Sequence, residues 1–125
     1  MFGNKFFLSS AGFSLILIGF SYGINSQSFL GTAIQLPQLT TDLSHIFRGI
    51  MGLYFAIGLY WIWAAQIPRH HRGALISLIA VMLGLFSGRM LSFVLDGRAS
   101  PLLMVYAAME IIVACVGIFL LKKHA

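Results

Sequence analysis

Charge is what this sequence has least of. Of its 125 residues only 9% are charged, eight basic and three acidic, against a hydrophobic share of 59% and a mean hydropathy of +0.93. A soluble domain keeps roughly a quarter of its residues charged so that its surface can face water. A water-soluble globule is therefore excluded. Cysteine is nearly absent too. A lone Cys115 allows neither an internal disulfide framework nor a cysteine-based zinc site, and within an apolar run with no base nearby it reads as an inert packing residue. No histidine falls in the middle of an apolar run, so paired-histidine ligation of a haem has no ligands. His45 stands at a helix entrance, His124 in the tail, and His70 and His71 in a basic loop. Adjacent side chains point apart on a helix, so this last pair reads as solvated loop residues rather than a metal site. No Gly-rich phosphate loop and no Ser-His-Asp arrangement occurs. The expectation is a non-enzyme with no metal and no cofactor. The net charge of +5 is scattered too thinly to track phosphates, so no nucleic-acid partner is expected.

What the chain does have is four long apolar runs. A bilayer core about 30 Å thick needs roughly 20 apolar residues in helix, and Phe6–Ile24, Ile46–Ala65, Gly73–Leu95 and Pro101–Leu121 each meet that demand. The first could begin a signal peptide, but it is too long for the apolar region of one and no A-x-A site follows. It is read as a span. The fold expected is all-α, an integral membrane four-helix bundle forming a single domain over residues 1–125. Lys5, Arg69, Arg72, Lys122 and Lys123 flank the spans on one side, against Arg48 and Arg98 with Asp42 and Asp96 on the other. The side richer in bases is expected to be cytoplasmic. This places a multi-pass protein in a bacterial inner membrane with both termini inside. Tyr60, Trp61 and Trp63 precede the basic IPRHHRG loop, where an interfacial aromatic belt would lie. Residues 25–44 form a 20-residue outer segment, too polar to span and too apolar to float free, and Thr41 or Asp42 is expected to cap the second helix.

Lipid supplies no hydrophobic force between helices, so small residues must let them approach. Gly19 and Gly23, Gly84 and Gly88, and Ala107 with Gly117 are the candidate packing positions. Ala107 and Gly117 share a face with Glu110, which turns that acid towards other helices. Ionisable groups at membrane depth are costly and face a partner or a cavity. Arg89 and Glu110 lie at depths matching within one helical turn on either side of the short LDGRASP loop. Arg48, Arg89, Asp96, Arg98 and Glu110 are thus expected to converge as a charged cluster in the outer half of the bundle. Its role has two readings: an ion pair that locks two helices in register, or the lining of a pocket for a ligand.

The strings FRGIMGLYFAIGLYW (Phe47–Trp61) and GRMLSFVLDGRASP (Gly88–Pro101), with the acid in VYAAMEI (Val105–Ile111), resemble the bacterial membrane family known as domain of unknown function 4345. The similarity runs from about Asn25 to Leu121, through Arg48, Gly49, Gly52, Tyr54, Gly88, Arg89, Asp96, Gly97 and Glu110. It implies a four-span inner-membrane protein and, more distantly, a fold similar to the DoxX-like membrane bundles. It carries over no catalytic residue. The function expected is a non-enzymatic accessory subunit of a larger membrane complex, such as a respiratory or photosynthetic one. The alternative is a binder of a lipid-like or small amphiphilic ligand in an outer-half pocket. The partners to match are membrane lipids, other membrane subunits or further copies of the chain. A proton-coupled transporter would need a polar path through the inner half, and the sequence offers none.

Overall fold

The computed structural model describes residues 2–23, 40–97 and 101–123. Four helices carry them: α1 (Phe2–Gly23), α2 (Thr41–Ala65), α3 (His71–Asp96) and α4 (Pro101–Lys123), with a 3-10 turn at Pro68–His70 between α2 and α3. All four are long and apolar enough to cross a membrane, and no strand occurs among the described residues. This is a four-helix membrane bundle. The expected outer segment lies mostly outside the described residues, and only its end, from Thr40 into the first turn of α2, is seen. There Thr40, rather than Thr41 or Asp42, caps the helix: its Oγ1 accepts from the Leu43 amide at 3.1 Å. The correction has a simple cause. The capping residue is the one just before the first helical φ/ψ, and α2 begins one residue earlier than its polar composition suggests.

The bundle is two hairpins side by side. The close partners are α1 with α2 and α3 with α4, while contacts between the pairs are sparse. At the α1–α2 seam the two backbones touch. A Cβ on Gly12 would lie 2.5 Å from the Gly58 carbonyl oxygen, and one on Gly58 would lie 2.6 Å from that of Gly12. One turn-pair further on, Gly19 rests against Tyr54 Cβ and the Phe55 ring. Gly12 and Gly19 are seven apart and share a face. The sequence reading missed Gly12 and Gly58. Across the other hairpin, Gly117 takes the side chains of Leu78 and Ile79, and Ala107, Glu110, Ala114 and Gly117 are the buried residues of α4. Gly84 and Gly88, expected to pack helices, meet nothing within 4 Å. Both are exposed, on a face that no other described helix approaches this closely. Gly23 closes α1, and its packing lies outside what is described.

The burial pattern is that of lipid-facing helices. Small and aliphatic residues such as Ala64, Ala74, Leu78 and Ala114 fill the interior, while Phe6, Val94 and Leu95 stand outside, up to 81% exposed. Cys115 is exposed as well, so it does not pack inside the bundle. The α2–α3 end is closed by polar contacts that the composition did not announce. Trp61 is fully buried, not interfacial, and its Nε1–H donates to Ser77 Oγ at 3.0 Å; Ser77 in turn donates to the Ala74 carbonyl. Tyr60 and Trp63 do remain exposed, and the His70 ring lies 4.8 Å from that of Trp63. His71 is not a solvated loop residue. It is buried, and its Nε2–H donates to the Ala65 carbonyl at 2.8 Å. The last carbonyls of a helix have no partner within it, and this imidazole satisfies one of them where the chain turns back.

Candidate functional site

The seam between the two hairpins does not close. It encloses a cavity of about 200 Å³. From α1 come Phe7, Ser10, Ala11, Ser14 and Ile18, at the steps of three and four that define one helical face. Tyr54 of α2 forms the floor. Met82, Leu85 and Arg89 of α3 face Tyr106, Met109, Glu110 and Val113 of α4. From Phe7 to Ile18 the space follows α1 for about 16 Å at the helical rise.

Its wall is mostly apolar, with the hydroxyls of Ser10, Ser14, Tyr54 and Tyr106 and the Arg89–Glu110 pair as its polar groups. The Arg89 Nε–H donates to both carboxylate oxygens of Glu110, at 2.9 and 3.1 Å. The two side chains remain only 20% and 9% exposed. The guanidinium also interacts with the Tyr22 side chain, and its Cζ stands 5.7 Å from the centre of the Tyr106 ring. Tyr22 is held in turn edge-on to Tyr54, with ring centres 5.7 Å apart. An arginine on α3 points its stem back towards its own N-terminus, which lets Arg89 reach inward to an acid set slightly deeper on α4. The pair is therefore fixed by three helices, with a tyrosine from α1 and another from α4 against the same guanidinium.

The wider cluster expected from the sequence does not form. Arg48 is exposed, and among the described residues Arg89–Glu110 is the sole ion pair. Asp96 is exposed and accepts from Ser92 Oγ at 2.7 Å, one turn back on its own helix. Arg98 lies outside the described residues. Asp96 is the last residue of α3, where water or headgroups solvate an ion, and Arg48, two turns into α2, lies on an exposed face of its helix and not towards the pair. The residues that sequence reasoning missed are Tyr22, Tyr106, Ser10 and Ser14. Their signal was present in part, since Ser10 and Ser14 are polar positions four apart in an uncharged span. No group of histidine, cysteine and acidic side chains able to hold a metal occurs among the described residues.

Residues 4–121, nearly the whole chain, match the model of the family described as Domain of unknown function (DUF4345). The chain belongs to the DUF4345 family. The match extends the resemblance seen from Asn25 onwards through α1, the helix that supplies one wall of the cavity. No curated protein and no solved structure matches the chain.

Proposed function

We propose that this DUF4345 protein binds a small lipid-like amphiphile, non-enzymatically, in the cavity between its two hairpins. The observation that carries the reading is an ion pair lining an open, mostly apolar space. An ion pair taken out of water loses much of its attraction to desolvation, so stability alone is a weak reason for this pair. One beside a cavity is placed to meet a guest, and pockets that bind small molecules combine apolar walls with a few convergent polar groups. In the same reading the end bearing Lys5, Arg69, Arg72, Lys122 and Lys123 faces the cytoplasm of a bacterium. The test is native mass spectrometry of the protein purified in mild detergent, beside Ser14→Phe, which fills the cavity. A small amphiphile retained by the unaltered chain and lost from the variant supports the reading. Equal retention by both, or none by either, overturns it.

The accessory-subunit reading draws on a different observation. Gly49, Gly52, Gly84 and Gly88 face outward with nothing within 4 Å, and such faces let a second helix approach closely in lipid. Co-purification of a stoichiometric membrane protein, lost on Gly84→Leu, would favour it.

A further inference from the structure

The charge state of the guest can be read from the lining, on the footing of the pocket proposed above. We infer that the ligand carries an uncharged polar head, a carbonyl or hydroxyl oxygen on a ring or short chain, and that it enters sideways from the bilayer between α1 and α4. Arg89 and Glu110 are the charged residues of the lining, and they neutralise each other through the Nε–H and both carboxylate oxygens. An anionic head would meet an arginine whose charge Glu110 already neutralises and would sit close to that carboxylate. A cationic head would face the guanidinium in the same way. Both costs are large where the dielectric is low. An uncharged oxygen meets neither. The hydroxyls of Ser10, Ser14, Tyr54 and Tyr106 each donate and accept, so they suit a carbonyl and a hydroxyl alike.

Size and access point the same way. A cavity of roughly 150 Å³ takes one benzene ring, so about 200 Å³ holds a substituted ring or a short alkyl segment. A diacyl lipid with its headgroup is too large, and any longer tail must project. The way out is lateral. Ser10, Ser14 and Met109 line the cavity yet are exposed, and the backbones of α1 and α4 stand apart along most of their length. They approach near one end, where Gly3 meets Leu120. Between these helices the cavity opens where acyl chains would lie.

The experiment offers the detergent-purified protein an equimolar mixture of 1-decanol, decanoate and decyltrimethylammonium and reads the retained adducts by native mass spectrometry. The decanol adduct is expected to exceed each charged one by about tenfold, roughly what one unpaired polar interaction is worth, and to fall to background in Ser14→Phe. Glu110→Gln, which frees Arg89 from its counter-charge, should shift the ratio about tenfold towards decanoate. Decanoate or the ammonium bound as well as decanol, and displaced by Ser14→Phe, overturns the uncharged-head inference and leaves the pocket standing. Adducts that Ser14→Phe leaves unchanged bring down the pocket and this inference together. The ranking of the three probes needs no altered ion pair, so a Glu110→Gln chain that fails to fold does not shield the proposal.

Discussion

The two long seams of this bundle are built on opposite principles. Between α1 and α2 the backbones touch at Gly12 and Gly58, and no added atom fits. Between the hairpins the helices stand apart around about 200 Å³ of space with the ion pair on its wall. In lipid, where association depends on packing and hydrogen bonds, the first seam holds the fold by contact. The second is held at one end by Trp61–Ser77 and His71–Ala65 and further along by Tyr22 against Arg89, with the open space beside these contacts. The difference teaches where rigidity and function are divided. The closed seam and the polar α2–α3 turn form a frame, and the frame holds the other seam ajar.

The contrast breaks first at Gly58. Gly58→Leu must push a side chain into the Gly12 carbonyl and the Ile16 side chain, whose Cγ1 would lie 2.8 Å from the first added carbon. A backbone cannot yield as a side chain tip can. The expected loss is about 3 kcal/mol or more, read as unfolding in bicelles titrated with sodium dodecyl sulfate. A variant as stable as the parent would mean that the seam is not closed.

The ion pair comes next. Arg89→Met leaves Glu110 without its counter-charge in an apolar wall. A buried pair broken on one side loses about 3–5 kcal/mol, but a carboxyl at an open cavity can take up a proton and become neutral, so about 2 kcal/mol is expected. Replacing both residues, Arg89→Met with Glu110→Leu, should return most of that stability in the same unfolding assay while abolishing retention of decanol. Should the double variant stay as unstable as the single one, the pair serves the fold and not the guest.

Smaller, and opposite in sign to the first, is the effect of filling the open seam. Ser14→Phe adds a ring where Gly58→Leu has no room for a methyl. It should leave stability unchanged or raise it by about 0.5–1 kcal/mol, as cavity-filling substitutions commonly do. A loss comparable with that of Gly58→Leu would show the second seam to be as tight as the first.

Much of this division is legible in the residues, but unevenly. The four spans follow from composition and length alone, because an apolar run of this size has no other stable setting. Counting depth from either side of a short loop puts Arg89 and Glu110 within one turn, and the side chains do meet. Tyr22 is harder to anticipate, since it lies on the far hairpin and its approach to Arg89 depends on how the hairpins lean together. His71 and Trp61 were misplaced for one shared reason. Polar-tipped rings suit a membrane interface and a buried helix end equally well, and only the path of the chain after Ala65 decides between them. Glycine is the most ambiguous letter here. Gly58 and Gly52 occupy similar GLY strings, yet one touches another backbone and the other touches nothing, because six residues along a helix leave the two faces about a third of a circle apart.

That ambiguity yields the smallest effect and the sharpest control. Gly84 sits in a span as apolar as that of Gly58, but a Cβ there meets nothing within 4 Å. Gly84→Leu should change the unfolding free energy of the isolated chain by less than about 0.5 kcal/mol, the range of substitutions that touch no neighbour. Its value lies in what else it can move. If the outward glycine face serves only lipid, the variant binds decanol and migrates on a sizing column as the parent does. If another helix docks there, the added isobutyl group pries it off, and the assembly shrinks while the stability of the isolated chain stays put. A stability loss without any change in assembly would place Gly84 inside a seam, and the division between a closed frame and an open wall would have to be redrawn.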